Sequence, residues 1–508
     1  MPIQSTDNRR IAKNTLFLYM RMLITIAVNL YTVRVLWQIL GIDNYGIYNV
    51  VGGVVMMFAF LNNAMIASSQ RFISFELGLG DKERISKVFS LSITIHFLLA
   101  IIILIFAETI GLWFLNYKLN IPADRMVAAN WVFQCSVVTF IINVISVPYN
   151  ACIVAHEHMK AYGYLGIAEV TFKLLIVFLL LLIPGDKLIL YSVLILSVAL
   201  IMRTIFGIYC THNFDECHYK FIRDSHLMRD MFAFAGWSFV GNLGFSVRDQ
   251  GLNIVINLFF NVAVNAAKGI AAQVGGVISG FASSFTMALN PQITKRYAVG
   301  DIDAMMSLVF SGCKYSVLLM MVIVLPLIMA AKPILLLWLG DVAPYTVDFL
   351  KLTLVIVLIE SIVNPITTSL QATGNIKLFQ ILISVLMIAT VPIAYIWLMY
   401  NHNPYIVMYV SIFISLAAII IRLLLLRHQI LFSYNQFIRK VIAPIILTFM
   451  LAAPISWFLY QFVNDTLFSL IIYGIISVIT TTIIIVMVAL TNLERHFLMN
   501  LLRERFCK

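Results

Sequence analysis

Thirteen ionisable side chains lie inside long apolar runs of this 508-residue chain. The basic ones are Arg21, Arg34, Lys173, Arg203, Arg248, Lys268, Lys314, Lys351 and Arg422; the acidic ones are Glu108, Glu169, Asp249 and Glu360. A charge at the centre of a membrane helix costs about 2.5–3.5 kcal/mol on insertion scales, so it faces a wet cavity, a partner or a nearby interface. Nine cations against four anions make the interior basic, and a basic interior suits an anionic cargo.

Depth sorts these residues by chemistry. Arg34, Lys268, Lys351 and Arg422 fall within about six residues of a predicted helix end, close enough to snorkel to the interface. Arg21 lies about seven residues into the first predicted span, Arg248 near the middle of the seventh, and Lys314 deep in the ninth. These three are the candidate substrate-binding residues, with structural pairing as the plainer alternative. Glu169 and Lys173 stand four apart with the acid first, the favourable order for a helical ion pair. Asp249 neighbours Arg248 but points about 100° away around a helix, so the two do not automatically pair. Asp249 and Glu360 are the candidates for a proton or cation site.

Other reactive types are scattered. The six cysteines form no CxxC spacing, so neither a disulfide framework nor a zinc site is expected. His156-Glu157-His158, and His212 with Cys217 and His218, fall in short polar connections and read as solvated loops rather than metal ligands. No GxxxxGK[ST], HExxH or GxSxG motif occurs, so no ATP-driven step, enzyme activity or cofactor is expected.

The elements that position these residues follow from composition. The chain is 62% hydrophobic and 11% charged, against roughly 25% charged in soluble domains, too little polar surface for a water-facing body. Runs of about 20 apolar residues, enough to cross a bilayer, occur fourteen times. The first six spans are 14–40, 45–69, 86–115, 125–154, 162–184 and 187–210. The next six are 230–260, 265–290, 304–331, 345–371, 377–400 and 403–427, followed by 437–461 and 465–490. No connection leaves room for a separate soluble domain. Of the lysines and arginines at or beyond the span ends, twenty-one fall on the side of the N-terminus and four on the other (Lys118, Arg125, Lys187, Lys332). Such asymmetry places both termini in the cytoplasm. It also accounts for the net charge of +11 without nucleic acid. The polar segment 1–14 has no cleavage-site pattern, so the first span is expected to serve as its own targeting signal.

A repeat runs through the spans. Val51-Gly52-Gly53-Val54 recurs as Val274-Gly275-Gly276-Val277, Gly80-Asp81 as Gly300-Asp301, Trp113 as Trp338, and Pro148 with Lys160 as Pro365 with Lys377. A six-helix unit starts and ends on one side, so the copies are parallel, as in two-lobed transporters with a cavity between lobes. The expected fold is an all-α membrane protein of about fourteen transmembrane helices. It comprises a lobe at 1–215, a lobe at 216–430, and two accessory helices with a tail at 431–508, the lobes flanking a central cavity. Arg21 and Arg248 then fall on equivalent helices. Gly236, Gly241, Gly244 and Gly251 in the seventh span read either as close packing or as a gating bend.

Leu40-Gly41-Ile42-Asp43-Asn44-Tyr45-Gly46-Ile47-Tyr48, between the first two spans, resembles the LG-x-x-x-YG-x-Y signature of polysaccharide export flippases. These belong to the multidrug/oligosaccharidyl-lipid/polysaccharide exporter superfamily, and the likeness of helix number and lobes extends over essentially the whole chain. The resemblance implies a multi-pass protein of the bacterial inner membrane. It implies transport of a polyprenyl-diphosphate-linked oligosaccharide, an O-antigen or capsule unit, to the outer leaflet, with membrane lipids and glycan assembly machinery as partners. Coupling to protons or sodium stays open, and moving about two negative charges outward down a potential negative inside could itself drive the step. Arg21 and Arg248 are similar to cationic cavity residues of the lipid II branch. The alternative within the superfamily is a cation-coupled multidrug exporter, which relies on carboxylates commonly in the first helix; here that helix has Arg21 and Arg34 and no acid. A membrane glycan polymerase or transferase would need reactive residues on an outer face, and the short outer loops offer only scattered acids.

Overall fold

The computed structural model describes residues 2–495 apart from 57–58, 118–120, 261, 340–341, 343, 431, 465 and 492–493. Lys118, Asp341, Asp465, Arg503, Arg505, Cys507 and Lys508 therefore lie outside the described residues. So do the side chains of Arg9, Arg10, Lys13, Arg34, Gly41, Ile42, Asp43, Tyr45, Gly46, Gly53 and Val54. Every regular element among the described residues is helical. Lipid offers backbone groups no partner, and a helix satisfies them within itself. Among the described residues, ten stretches are long and apolar enough to cross a bilayer.

Four of the fourteen expected spans, the first, second, seventh and tenth, are not among those ten. The first expected break, at 41–44, is not a break: α1 (Pro2–Met56) runs through it, followed by α2 (Ala59–Leu79). The expected tenth span is divided near Ile362. Pro365 has no N–H to offer the carbonyl four residues back, which is that of Ser361, and the helix is interrupted there.

The chain divides into two compact units, 13–242 and 243–508 together with 1–12. The first holds most of α1, α2, α3 (Lys82–Phe106), α4 (Leu112–Tyr117), α5 (Met126–Ala155), α6 (Met159–Leu182), α7 (Lys187–Asn213) and the first half of α8 (Ser225–Phe259). Its core gathers on α5, where Ala129, Val132, Phe133, Val137 and Val144 pack with Ile103, Leu115 and Leu188. Gly111 is required there, since a Cβ would lie 2.8 Å from the Phe133 ring. The connection 214–224 and the start of α8 belong to this unit for visible reasons. The Lys220 amide donates to Ser90 Oγ at 3.2 Å, Ser68 Oγ donates to the Met231 carbonyl at 3.2 Å, and Phe72 meets Phe234 edge-on.

The second unit holds the rest of α8, α9 (Val262–Ala298), α10 (Ile302–Met329), α11 (Ala331–Leu339), α12 (Thr346–Ser361), α13 (Val363–Ala372), α14 (Lys377–Tyr400) and α15 (Ile406–Gln429). The short α16 (Tyr434–Phe437), α17 (Ala443–Tyr460) and α18 (Leu467–Ile484) complete it. Its centre is α10, against which α9, α12, α17 and α18 all pack.

Repeated residues perform the same local job in each unit. Gly80 (φ +75°) and Gly300 (φ +77°) both take the left-handed conformation that ends a helix cheaply only for glycine. Asp81 and Asp301 then cap α3 and α10, accepting from the Arg84 and Ala304 amides at 3.0 and 3.1 Å. Trp113 and Trp338 are both about half exposed, near the ends of the span Lys82–Tyr117 and of α11, as tryptophans at a membrane interface are.

Candidate substrate and ion sites

Arg21, on α1, is held by aromatic and glycine neighbours. Its guanidinium carbon lies 4.4 Å from the centre of the Tyr162 ring on α6, a cation–π arrangement that supports the charge without neutralising it. Gly166, one turn along α6, makes the room: a Cβ there would lie 2.1 Å from Arg21 Nε. Among the described residues no carboxylate pairs with Arg21. Lys160 adds a second cation 5.7 Å from the Phe17 ring centre, and Phe17 and Tyr164 pack edge to face. Farther along α6, Lys173 donates to Glu169 at 2.6 Å, the self-neutralising pair their spacing predicts.

Arg248, on α8, sits in a different environment. Its Nε donates to Asp249 Oδ1 at 2.9 Å and its Nη1 to Glu360 Oε1 at 3.1 Å. The neighbouring aspartate therefore does pair with it, because the long arginine side chain curls back across the 100° between adjacent helix positions. The Arg248 side chain is 12% exposed, Glu360 36% and Asp249 62%. Ser415 Oγ also donates to Glu360 Oε1, at 3.1 Å. Asp249 and Glu360 thus meet on one guanidinium. Close packing accounts for two of the α8 glycines: added Cβ atoms would lie 2.7 Å from Ser384 Cα at Gly244 and 2.5 Å from Val391 at Gly251, both on α14.

Arg422 and Lys268 correct the snorkelling expectation. Arg422 is 3% exposed, donates to the Ala418 carbonyl at 3.1 Å, and leaves Nε without a hydrogen bond among the described residues. It lines a cavity of about 110 Å³ with Phe245, Glu360, Asn364, Met387 and Ser415, room for three or four waters at roughly 30 Å³ each. Lys268 turns onto Asn253 Oδ1 at 2.7 Å. Arg427, five residues farther along α15, already lies where the interface is expected, so Arg422 sits roughly 7.5 Å deeper at 1.5 Å per residue. That spacing was the available signal. Around Arg248 the second unit therefore gathers two further cations (Lys268, Arg422) and two carboxylates (Asp249, Glu360).

Lys314 is placed elsewhere. It is 5% exposed, and its ammonium donates to both Glu494 oxygens at 2.9 Å and to the Ala489 carbonyl at 3.3 Å. It ties the end of the accessory pair to α10. Glu494 lies beyond the last span. Burial pushes its carboxyl up, but bonds from Tyr315, the Thr491 amide and Lys314 outweigh that and hold it below the ordinary glutamate value. A depressed carboxyl stabilises above its unfolded value and stops doing so as pH falls through the folded one, so this tether persists into acid. Glu108 accepts from Gln134 Nε2 at 3.1 Å.

The resembling signature also has a physical account. Asn44 accepts from Arg125, which donates to both Asp186 oxygens at 2.7 and 3.4 Å, and Tyr48 meets Tyr191 edge-on at 4.9 Å. These contacts fasten α1 to the starts of α5 and α7. The solvated-loop expectation for the histidines and cysteines fails in one place. Cys152 and Cys217 are buried, and Cys152, His156 and Glu216 present ligand-type atoms all within 4.8 Å of one another.

Comparisons with known proteins accord with this architecture. Residues 11–296 match the family model described as polysaccharide biosynthesis protein, and residues 238–396 match the MatE model. A comparison with curated proteins gives no match. Among solved structures, the chain is similar to an outward-facing multidrug resistance MATE family transporter of the MOP superfamily. The TM-score is 0.72 at 15% identity, covering 83% of this chain and 96% of that one. A MATE protein in the bent conformation gives 0.71 at 14%, covering 84% and 95%. A mutant of the Vibrio cholerae MATE transporter VcmN gives 0.69 at 15%, covering 84% and 99%. At such identities the likeness is one of fold, and the family assignment rests on the model that matches more than half of the sequence. The chain belongs to the polysaccharide biosynthesis protein family, membrane transporters of the multidrug/oligosaccharidyl-lipid/polysaccharide exporter superfamily.

Proposed function

We propose that this transporter carries a polyprenyl-diphosphate-linked oligosaccharide from the cytoplasmic to the outer leaflet of a bacterial inner membrane by alternating access. The observation that carries the reading is Arg21: a guanidinium within a predicted span, backed by Tyr162 and given room by Gly166, with no carboxylate partner among the described residues. Such a group offers paired donors to a phosphate oxygen without first breaking an ion pair. A diphosphate brings about two negative charges, and moving them outward down a potential negative inside releases about 4.6 kcal/mol per 100 mV. The excess of intramembrane cations favours the same cargo, with the polyprenyl tail left in lipid.

Arg248 is the second proposed cargo contact and a conditional one, since Asp249 and Glu360 hold it. Proton or sodium binding by these carboxylates would release it, which couples the ion to the substrate. Lys314, closed onto Glu494, has a structural role in this reading. The MatE match and the two carboxylates favour one alternative, a cation-coupled multidrug exporter. The test is genetic and biochemical. In a deletion strain, lipid-linked oligosaccharide should accumulate on the inner leaflet. Wild type should clear it, Arg21→Ala should not, and drug sensitivity should stay unchanged. Drug sensitivity without accumulation would favour the exporter.

A further inference from the structure

Away from the intramembrane charges, the first unit collects the donor set of a transition-metal site. The last turn of α5 carries Cys152 and His156 four residues apart, hence on one helix face. The connection leaving α7 brings Glu216 and Cys217 onto that face. Cys152 and Cys217 sulfurs lie 3.3 Å apart, and Glu216 Oε1 lies 4.0 Å from Cys152 Sγ and in contact with His156 Nε2. Cys210, at the end of α7, is wholly buried behind them, its sulfur 3.5 Å from the Tyr149 carbonyl.

We infer that Cys152, Cys217, His156 and Glu216 form a binding site for a zinc-like divalent cation that pins the connection between α7 and α8 to α5. Two thiolates, an imidazole and a carboxylate are the ligands that borderline-soft cations take in four-coordinate sites. Convergence from two separate chain segments onto a buried point is what a structural site requires, because the ion then closes a loop of about sixty residues. The His156 ring is also oriented from outside: it stacks on Phe214 with centroids 4.2 Å apart and planes at 15°. The stack holds the plane of the ring, whose Nε2 is turned toward Glu216. Glu216 also lines an open pocket of about 370 Å³ with Asp215, Glu83 and three lysines, so the cluster borders solvent on that side. His156 and Glu216 touch each other directly, so ligation requires that pair to part by the width of the ion.

The test uses the full chain, purified in detergent without a polyhistidine tag, stripped with chelator and titrated with cobalt(II) and zinc. One cobalt equivalent per chain should bind with thiolate-to-metal charge-transfer absorption, and zinc should displace it. The double variant Cys152→Ser with Cys217→Ser should lose that absorption. His156→Phe, which keeps the ring stack and both thiols, should weaken binding by at least about tenfold, and gel filtration should report the fold of each variant. Absence of the charge-transfer band in wild type would overturn the site, as would equal cobalt uptake by His156→Phe. A Cys152–Cys217 disulfide found by mass spectrometry in freshly prepared protein would overturn it too.

Discussion

Arg21 and Arg248 stand on helices that the sequence repeat pairs with each other, yet their surroundings differ in kind. The first lies over an aromatic ring beside a glycine. The second is clamped by two carboxylates, one of which is also bonded to a serine. An arginine over a ring keeps its full charge for a ligand, whereas a doubly paired one must first be released. The neighbours, Tyr162 and Gly166 against Asp249 and Glu360, set the two arginines apart, and under the proposed function the first would receive an anion directly and the second only once released.

The comparison can be broken most directly at Arg21. Arg21→Ala should lower oligosaccharide flipping in proteoliposomes roughly ten- to hundredfold, matching the loss of about 1.5–3 kcal/mol for a hydrogen bond to a charged group. Its unfolding midpoint should barely move, because no ion pair is lost. Arg248 should behave oppositely. Glu360→Gln should cost about 1–3 kcal/mol of stability, since a buried guanidinium loses one of two anionic partners. A variant with unchanged stability and a tenfold transport defect would erase the distinction.

Gly166→Ala sharpens the contrast from the other side. The new methyl group must push Arg21 off Tyr162, so transport should fall several-fold while the protein folds; the equivalent assay on Gly251→Ala should instead report destabilisation, by about 1–3 kcal/mol for overpacking against Val391. The smallest effects test where the two units remain alike. Asp81→Ala and Asp301→Ala should each cost about 1 kcal/mol of stability, the typical worth of an N-cap, and should be nearly equal by denaturant titration.

Much of the fold was readable because bilayers impose a simple code. Apolar runs and flanking lysines and arginines located most of the spans, and Gly80-Asp81 and Gly300-Asp301 marked turns whose chemistry is local. What escaped depended on side-chain direction. Arg422 looked free to snorkel until α15 was seen to aim it at the cavity beside Glu360. Lys314 looked like a cargo residue, yet its partner Glu494 lies 180 positions away. The cluster at Cys152 and Cys217 was equally hidden, because each cysteine alone resembles an inert apolar residue. Pairings across long sequence separations leave no local pattern.

Pro365 has a mechanical consequence. Because it offers no N–H to the turn above, the joint between α12 and α13 can flex without sacrificing a backbone bond that an unbroken helix would possess. Glu360 rides just above that joint, and Thr368, bonded to Asn290, is anchored just below it. A small tilt about this elbow would carry the glutamate toward or away from its arginine while the lower segment stays moored, turning a change of charge into a change of angle.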